Sequence, residues 1–154
     1  MSFKLSNKTK TFLSENKNKK IVFTNGCFDI LHVGHVKYLN EAKKQGDLLF
    51  IGLNSDDSVR RLKGEDRPIN SENDRKYLLE NLSCIDCVEI FNEDTPLELI
   101  QEILPNVLVK GGDWKKSEIV GSEIVEKNGG LVKSLNYEDG YSTTNLIDIV
   151  QGKS

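Results

Sequence analysis

The sequence predicts an α/β fold, a five-stranded parallel sheet between two layers of helices. Two observations carry this. Five short apolar runs, bounded by Gly, Asn or Pro, have the length and unbroken hydrophobicity of strands buried on both faces. Segments of helical pattern separate them, and strands bridged by helices pair in parallel through right-handed crossovers.

Residues 1–19 are polar and lysine-rich, with Phe12-Leu13 their only apolar pair. They are expected to form an N-terminal arm, either irregular or with a short helix around Ser6–Asn16. Residues 20–154 form a single domain, as a chain of 154 residues suggests. Strands are expected at Ile21-Val22-Phe23, Leu48–Leu53, Val88–Phe91 and Val107-Leu108-Val109, with a fifth beginning at Leu131-Val132. Helices are expected at Val33–Gln45, Ser71–Leu82, Pro96–Leu104, Ser117–Lys127 and Ser142–Val150. The Pro96 helix carries the fullest signals. Thr95 can cap it, Pro96 takes the first helical position, Leu97, Ile100 and Leu104 form one stripe, and Pro105 ends it. Lys63–Asn70 is the long irregular stretch and is expected to be a mobile loop over a site.

Composition removes several classes of function. With 21 basic and 24 acidic residues the net charge is −3, which argues against a grip on nucleic acid backbone. The longest apolar run, Leu48–Ile51, is too short to span a bilayer. The first twenty residues hold six lysines and no apolar block, so a secretory leader is not expected. Three cysteines, an odd number, fit a reducing cytoplasm better than a disulfide framework.

In open α/β sheets ligands bind beyond the carboxyl ends of the strands. After the first strand comes Thr24-Asn25-Gly26-Cys27-Phe28-Asp29-Ile30-Leu31-His32-Val33-Gly34-His35, which holds both histidines of the chain. Neither a Gly-x-Gly-x-x-Gly nor a Gly-x-x-x-x-Gly-Lys phosphate loop is present. Two imidazoles three residues apart at a helix start share a face, beside backbone N–H groups and the positive end of the helix dipole. A phosphate suits such a place; a solvated helix start is the plain alternative. Zinc on His32, His35, Cys84 and Cys87 is a weaker reading. The cysteines flank the start of a strand without the loop context of a zinc knuckle, so no metal ligand is assigned.

The run Gly26-Cys27-Phe28-Asp29-x-Leu31-His32-x-Gly34-His35 resembles the signature of the cytidylyltransferase-like nucleotidyltransferases. Two further segments are similar to the same superfamily, Lys110-Gly111-Gly112-Asp113-Trp114 and Gly140-Tyr141-Ser142-Thr143-Thr144. The likeness runs from about Lys20 to Val150 and implies a Rossmann-like three-layer fold. Within it, Arg60–Gly64, Arg67–Asn70, Lys110–Trp114, Ile119–Gly121, Gly129-Gly130 and Asp139–Thr144 are similar to the adenylyltransferase half of bifunctional heptose-phosphate kinase/adenylyltransferases. Two positions depart from the glycerol-3-phosphate cytidylyltransferase branch. Tyr137 stands where that branch has arginine, and Gly112-Asp113 where it has Asp-Asp.

The resemblance implies transfer of AMP from ATP to D-glycero-D-manno-heptose 1-phosphate, giving ADP-heptose and pyrophosphate for a surface glycan such as lipopolysaccharide. A cytidylyltransferase acting on glycerol 3-phosphate or a similar polyol phosphate is the alternative, and a nucleotide-binding module without turnover a second. His32, His35 and Lys63 are the expected catalytic residues. Cys27, Phe28, Gly34, Gly112, Asp113, Gly140, Ser142, Thr143 and Thr144 would complete the nucleotide site. Asn25, Asp29 and Arg75 are expected to bind the acceptor. Mg²⁺ is expected on phosphates and water, with no protein ligand. A homodimer in the cytoplasm, with small-molecule substrates and neither nucleic acid nor membrane as partner, completes the expectation.

Overall fold

The computed structural model describes residues 3–136 and 143–152, with the backbone alone over 143–145. Five strands, β1 (Ile21–Gly26), β2 (Leu48–Asn54), β3 (Cys87–Phe91), β4 (Val107–Gly111) and β5 (Leu131–Leu135), form one sheet. Their order is β3-β2-β1-β4-β5 and every pairing is parallel. The helices are α1 (Asn7–Glu15), α2 (Val33–Lys43), α3 (Asp56–Lys63), α4 (Glu72–Glu80), α5 (Leu97–Ile103), α6 (Ser122–Lys127) and α7 (Thr143–Val150). The three-layer Rossmann-like architecture is therefore as expected, and no helix among the described residues is long and apolar enough to cross a membrane.

The strands are apolar throughout because both faces are covered. Val22, Leu49, Ile51, Leu53, Val88, Val107 and Val109 share one core with Tyr38, Leu39 and Ala42 of α2 and Leu79 of α4. Phe23, Phe50, Cys87, Phe91, Leu108 and Val132 share the other with Leu99 and Ile100 of α5 and Val125 of α6. Phe23 and Phe50 are fully buried and stack at 5.8 Å. Each such side chain contributes about 1.5–3 kcal/mol by burial.

The N-terminal segment is packed, not loose. Leu5 is buried in the second core, and Phe12 packs against Phe50 at 6.2 Å. Ser6 caps α1, and its backbone N–H donates to the buried Glu89 carboxylate of edge strand β3 at 2.6 Å.

Three elements differ from expectation. α3 is a helix the sequence reading passed over, because Val59 is its one buried apolar residue and no stripe forms. Its signals are electrostatic: Ser55 accepts the Ser58 N–H, acids fill the first turn, and Arg60, Arg61 and Lys63 fill the last. The helix expected over Ser117–Lys127 is broken into a 3-10 turn (Lys116–Glu118) and α6. Gly121 sits between them at φ 87°, and a Cβ there would meet Ile100 at 2.8 Å. At α5, Pro96 is the capping residue, not the first helical one. Leu99 and Ile100 are buried, whereas Leu104 ends the helix at φ 50° and is exposed.

β1 is the strand from which the chain departs in both directions across the sheet, towards β2 and β3 on one side and β4 and β5 on the other. Such a switch point opens a crevice at the carboxyl ends of its strands.

Candidate active site

Both histidines stand at that crevice. His32 is the capping residue of α2 and His35 lies one turn in. Together they form a capping box of imidazoles where Ser and Glu are usual. The Gly34 N–H donates to His32 Nδ1 at 3.1 Å, and the His32 N–H donates to His35 Nδ1 at 3.3 Å. The rings stack at 3.9 Å between centroids, and Phe28 meets His35 edge-on at 5.3 Å. Phe28 itself is held at φ 46°, a left-handed conformation costing about 1–3 kcal/mol of strain.

These contacts fix the tautomers. An Nδ1 that accepts a backbone N–H carries no proton, so the proton of each neutral ring is on Nε2. Burial pushes the His35 pKa down to about 4, with the neighbouring His32 adding to the shift and a hydrogen bond to the Ile30 carbonyl opposing it. Burial lowers that of His32 as well. At neutral pH the pair offers N–H donors rather than positive charges. The expectation of free backbone N–H groups here needs correcting, since His32 Nδ1 takes that of Gly34.

Charge comes from elsewhere. Lys63 ends α3 and is exposed; its charge reaches both the Cys27 thiol and the Lys110 ammonium. Cys27 follows β1 and is half-buried, its pKa raised by burial against the pull of Lys63, Arg75 and Arg67. Lys110 lies near the end of β4, and Trp114 folds back so that the ammonium sits 4.9 Å from its ring centroid. The Trp114 indole N–H donates to the Gly111 carbonyl at 2.9 Å. Gly112, at φ 107°, makes that reversal, with its N–H on the Leu135 carbonyl at 2.7 Å. Asp113 beside it is exposed.

Two expected acceptor ligands are engaged in the protein itself. The Asp29 carboxylate is fully buried and accepts from Arg67 Nε at 3.0 Å, from the Ile69 N–H at 2.8 Å and from the Asn70 N–H at 2.9 Å. Arg75, also fully buried, donates to the carbonyls of Cys27, Asn54 and Asn70 and to the Asp56 carboxylate. Neither has donors or acceptors turned to a ligand. They tie the ends of β1 and β2 to the stretch expected to be a mobile loop, and its second half, Arg67–Asn70, is consequently pinned. Asn25 remains available at the end of β1, on the wall of a cavity of about 220 Å³. Gly140, Ser142 and Tyr137 lie outside the described residues, as do the side chains of Thr143 and Thr144. Cys84 and Cys87 are buried free thiols in the two cores, apart from the histidines.

Residues 23–149 match the family described as cytidylyltransferase-like. The chain belongs to that family. Among curated relatives, the protein named Bifunctional protein HldE from Geobacter metallireducens is 61% identical over 132 residues, 86% of this chain and 27% of its own length. The protein of that name from Haemophilus ducreyi is 58% identical over 144 residues, 92% of this chain and 30% of its own. This cytidylyltransferase-like chain thus spans under a third of the curated relatives it matches. Among solved structures, the lipopolysaccharide core biosynthesis protein from Thermoplasma volcanium GSS1 is 29% identical with a TM-score of 0.65, covering 80% of this chain and 99% of that one. The family resemblance drawn from the histidine, Lys110–Trp114 and Gly140–Thr144 motifs is borne out.

Proposed function

We propose that this chain is a nucleotidyltransferase that moves AMP from ATP to D-glycero-D-manno-heptose 1-phosphate, giving ADP-heptose and pyrophosphate for surface-glycan synthesis. The observation that carries the chemistry is the imidazole pair built into the start of α2, at the switch point of a cytidylyltransferase-like fold. The heptose acceptor rests on the likeness to the bifunctional HldE proteins and on the lipopolysaccharide core protein among the solved structures.

An oxygen of the acceptor phosphate attacks the α-phosphorus of ATP in line. The new P–O bond forms as the bond to the β-phosphate oxygen breaks, and pyrophosphate leaves with the electron pair. The nucleophile is already an anion, so no general base is needed; positioning and charge dispersal supply the catalysis. His32 donates its Nε2–H to the α- and β-phosphate oxygens, and His35 joins it by turning its Nε2–H from the Ile30 carbonyl to a phosphate oxygen. Lys63, at the free end of α3, closes on the triphosphate as a movable charge. Cys27, Phe28 and Gly34 shape the turn beneath the phosphates, Gly112 and Asp113 the nucleoside end. By the family resemblance, Gly140, Ser142, Thr143 and Thr144 would complete the nucleotide site. Asn25 reads an acceptor hydroxyl, while Asp29 and Arg75 hold the turn in place.

No group of three or more His, Cys, Asp or Glu side chains able to hold a metal occurs among the described residues. Mg²⁺ would arrive with ATP, held on phosphates and water, where it would neutralise charge on the leaving group. A homodimer and a cytoplasmic setting complete the reading; the setting agrees with ATP as substrate and the dimer rests on the resemblance.

The test is pyrophosphate release from four nucleoside triphosphates against heptose 1-phosphate, glycerol 3-phosphate and other polyol phosphates. ATP with heptose 1-phosphate is expected to exceed CTP by at least about tenfold in kcat/KM, a gap of about 1.4 kcal/mol. Efficient CTP turnover with glycerol 3-phosphate, and none of ATP with heptose 1-phosphate, would replace the assignment. Release from no pair would leave a nucleotide-binding module.

A further inference from the structure

Lys110 belongs to none of the expected catalytic or binding residues. It is a half-buried cation on a strand, held against the face of Trp114, with no carboxylate ion-paired to it among the described residues. Burial and the nearby Lys63 charge both disfavour its protonated form. A cation so placed gains most from an anion that enters from solvent.

Lys110 also lines the 220 Å³ cavity at the ends of β1, β2 and β4, together with Asn25, Asn54, Asp94, Thr95 and Val120. Sites for drug-sized ligands run to about 300–1,000 Å³, so this one suits a single sugar and not a nucleotide. Its polar lining suits vicinal hydroxyls, with two carboxamides and a hydroxyl that donate and accept and a carboxylate that accepts, set among apolar side chains such as Leu62, Pro96 and Ile119. The wall is braced before any ligand arrives. Arg61 Nε donates to Asp94 at 2.8 Å, and Asn54 Nδ2 donates to the Ser58 hydroxyl at 3.1 Å. Asn25 stands one residue before the end of β1, which leads into the turn carrying Cys27, and the Lys63 charge reaches both the Cys27 thiol and Lys110.

We infer that this cavity takes the polyol part of the acceptor and that Lys110, held by Trp114, binds the acceptor's phosphate and presents it to the α-phosphorus. The inference rests on the nucleotidyltransferase reading and makes Lys110 a determinant of acceptor specificity.

Steady-state pyrophosphate release by the full chain, varying each substrate in turn, tests it in Lys110→Ala, Lys110→Arg and Thr95→Val. Lys110→Ala is expected to raise the acceptor KM by about tenfold or more with the ATP KM changed less than about twofold. Lys110→Arg should recover part of the loss, and Thr95→Val should raise the acceptor KM severalfold. Circular dichroism melting confirms that each variant folds. A rise in the ATP KM with the acceptor KM unchanged, or no change in either, would overturn the inference. If the wild-type chain releases no pyrophosphate from any pair, the nucleotidyltransferase reading fails separately. Calorimetric titration with heptose 1-phosphate then decides the cavity: binding by wild type that Lys110→Ala loses supports it, and equal binding or none by both overturns it.

Discussion

Replacing Asp29 with asparagine separates a structural clamp from a substrate ligand. The carboxylate is fully buried, and its partner Arg67 keeps only 12% of its side chain exposed. Four hydrogen bonds within 3.0 Å converge on the two oxygens, one from Arg67 Nε, two from the Ile69 N–H shared between them, and one from the Asn70 N–H. Asparagine keeps the shape but turns an NH₂ towards at least one of those donors and removes the counter-charge that Asp29 gives Arg67. Removing one member of a buried pair costs about 3–5 kcal/mol. A donor left facing a donor costs about 1–3 kcal/mol, but the same groups are involved, so the two figures overlap and do not add. In a chain of 154 residues each kcal/mol moves Tm by about 2–4 °C, so a fall of roughly 10 °C is expected for Asp29→Asn. Thermal and urea unfolding measure it, and trypsin should cut faster after Lys63 as the loop comes loose. An Asn variant that melts within about 2 °C of wild type, keeps its protease resistance and loses only acceptor affinity would refute this reasoning. Asp29 would then be reading substrate after all.

His32→Ala and His35→Ala should each lower kcat by about 10²–10³ while the chain stays folded, the loss of a cap costing about 1 kcal/mol. Pyrophosphate release is the measurement, and near-wild-type rates in both variants would put the phosphates elsewhere. Stability should fall in acid because of His35. Its folded pKa of about 4 lies below the unfolded value of 6.5, so the unfolded chain binds more protons between them. The stability of the neutral ring is fully present above about pH 6.5, is lost as pH falls and is gone below about 4, at a slope of at most about 1.4 kcal/mol per pH unit. Urea unfolding at pH 7 and pH 5 checks it against His35→Gln, whose stability should change less; an equal change in both would remove His35 as the cause.

The strands were legible because a buried parallel sheet needs apolar side chains on both faces, and Leu48–Leu53 can satisfy little else. The imidazole pair was legible because histidine is scarce in this chain and falls beside a strand end. α3 was not, since a helix held by Ser55, charged residues in its first and last turns and one buried valine has no periodic stripe to read. Nor were the duties of Asp29 and Arg75. A carboxylate and a guanidinium near a phosphate site suggest ligands in one dimension. Their engagement with backbone groups at residues 69–70, 27 and 54 exists only once β1, β2 and the loop meet. Lys110 was passed over because its environment is made by Trp114 four residues on and by Lys63 from another element.

Donors and charges at this site come from separate elements, and the physics of the helix start explains why. Imidazoles whose Nδ1 atoms cap α2 cannot accept a proton there without breaking the bonds that orient them, so the positions best placed against the phosphates must stay neutral. Neutral N–H donors order oxygens but disperse little charge. The positive charge is therefore carried on α3 and β4, where Lys63 and Lys110 reach the crevice without being part of any cap. Two ammonium groups that feel each other, with no carboxylate ion-paired to either among the described residues, are held in a mildly repulsive state, and an anion bridging them relieves it. Lys63 is exposed at a helix end and Lys110 is pinned against an indole, so of the two it is Lys63 that is placed to move. In the proposed reaction Lys63 would close on the triphosphate while Lys110 holds the acceptor's phosphate, with the neutral imidazoles keeping the phosphates aligned.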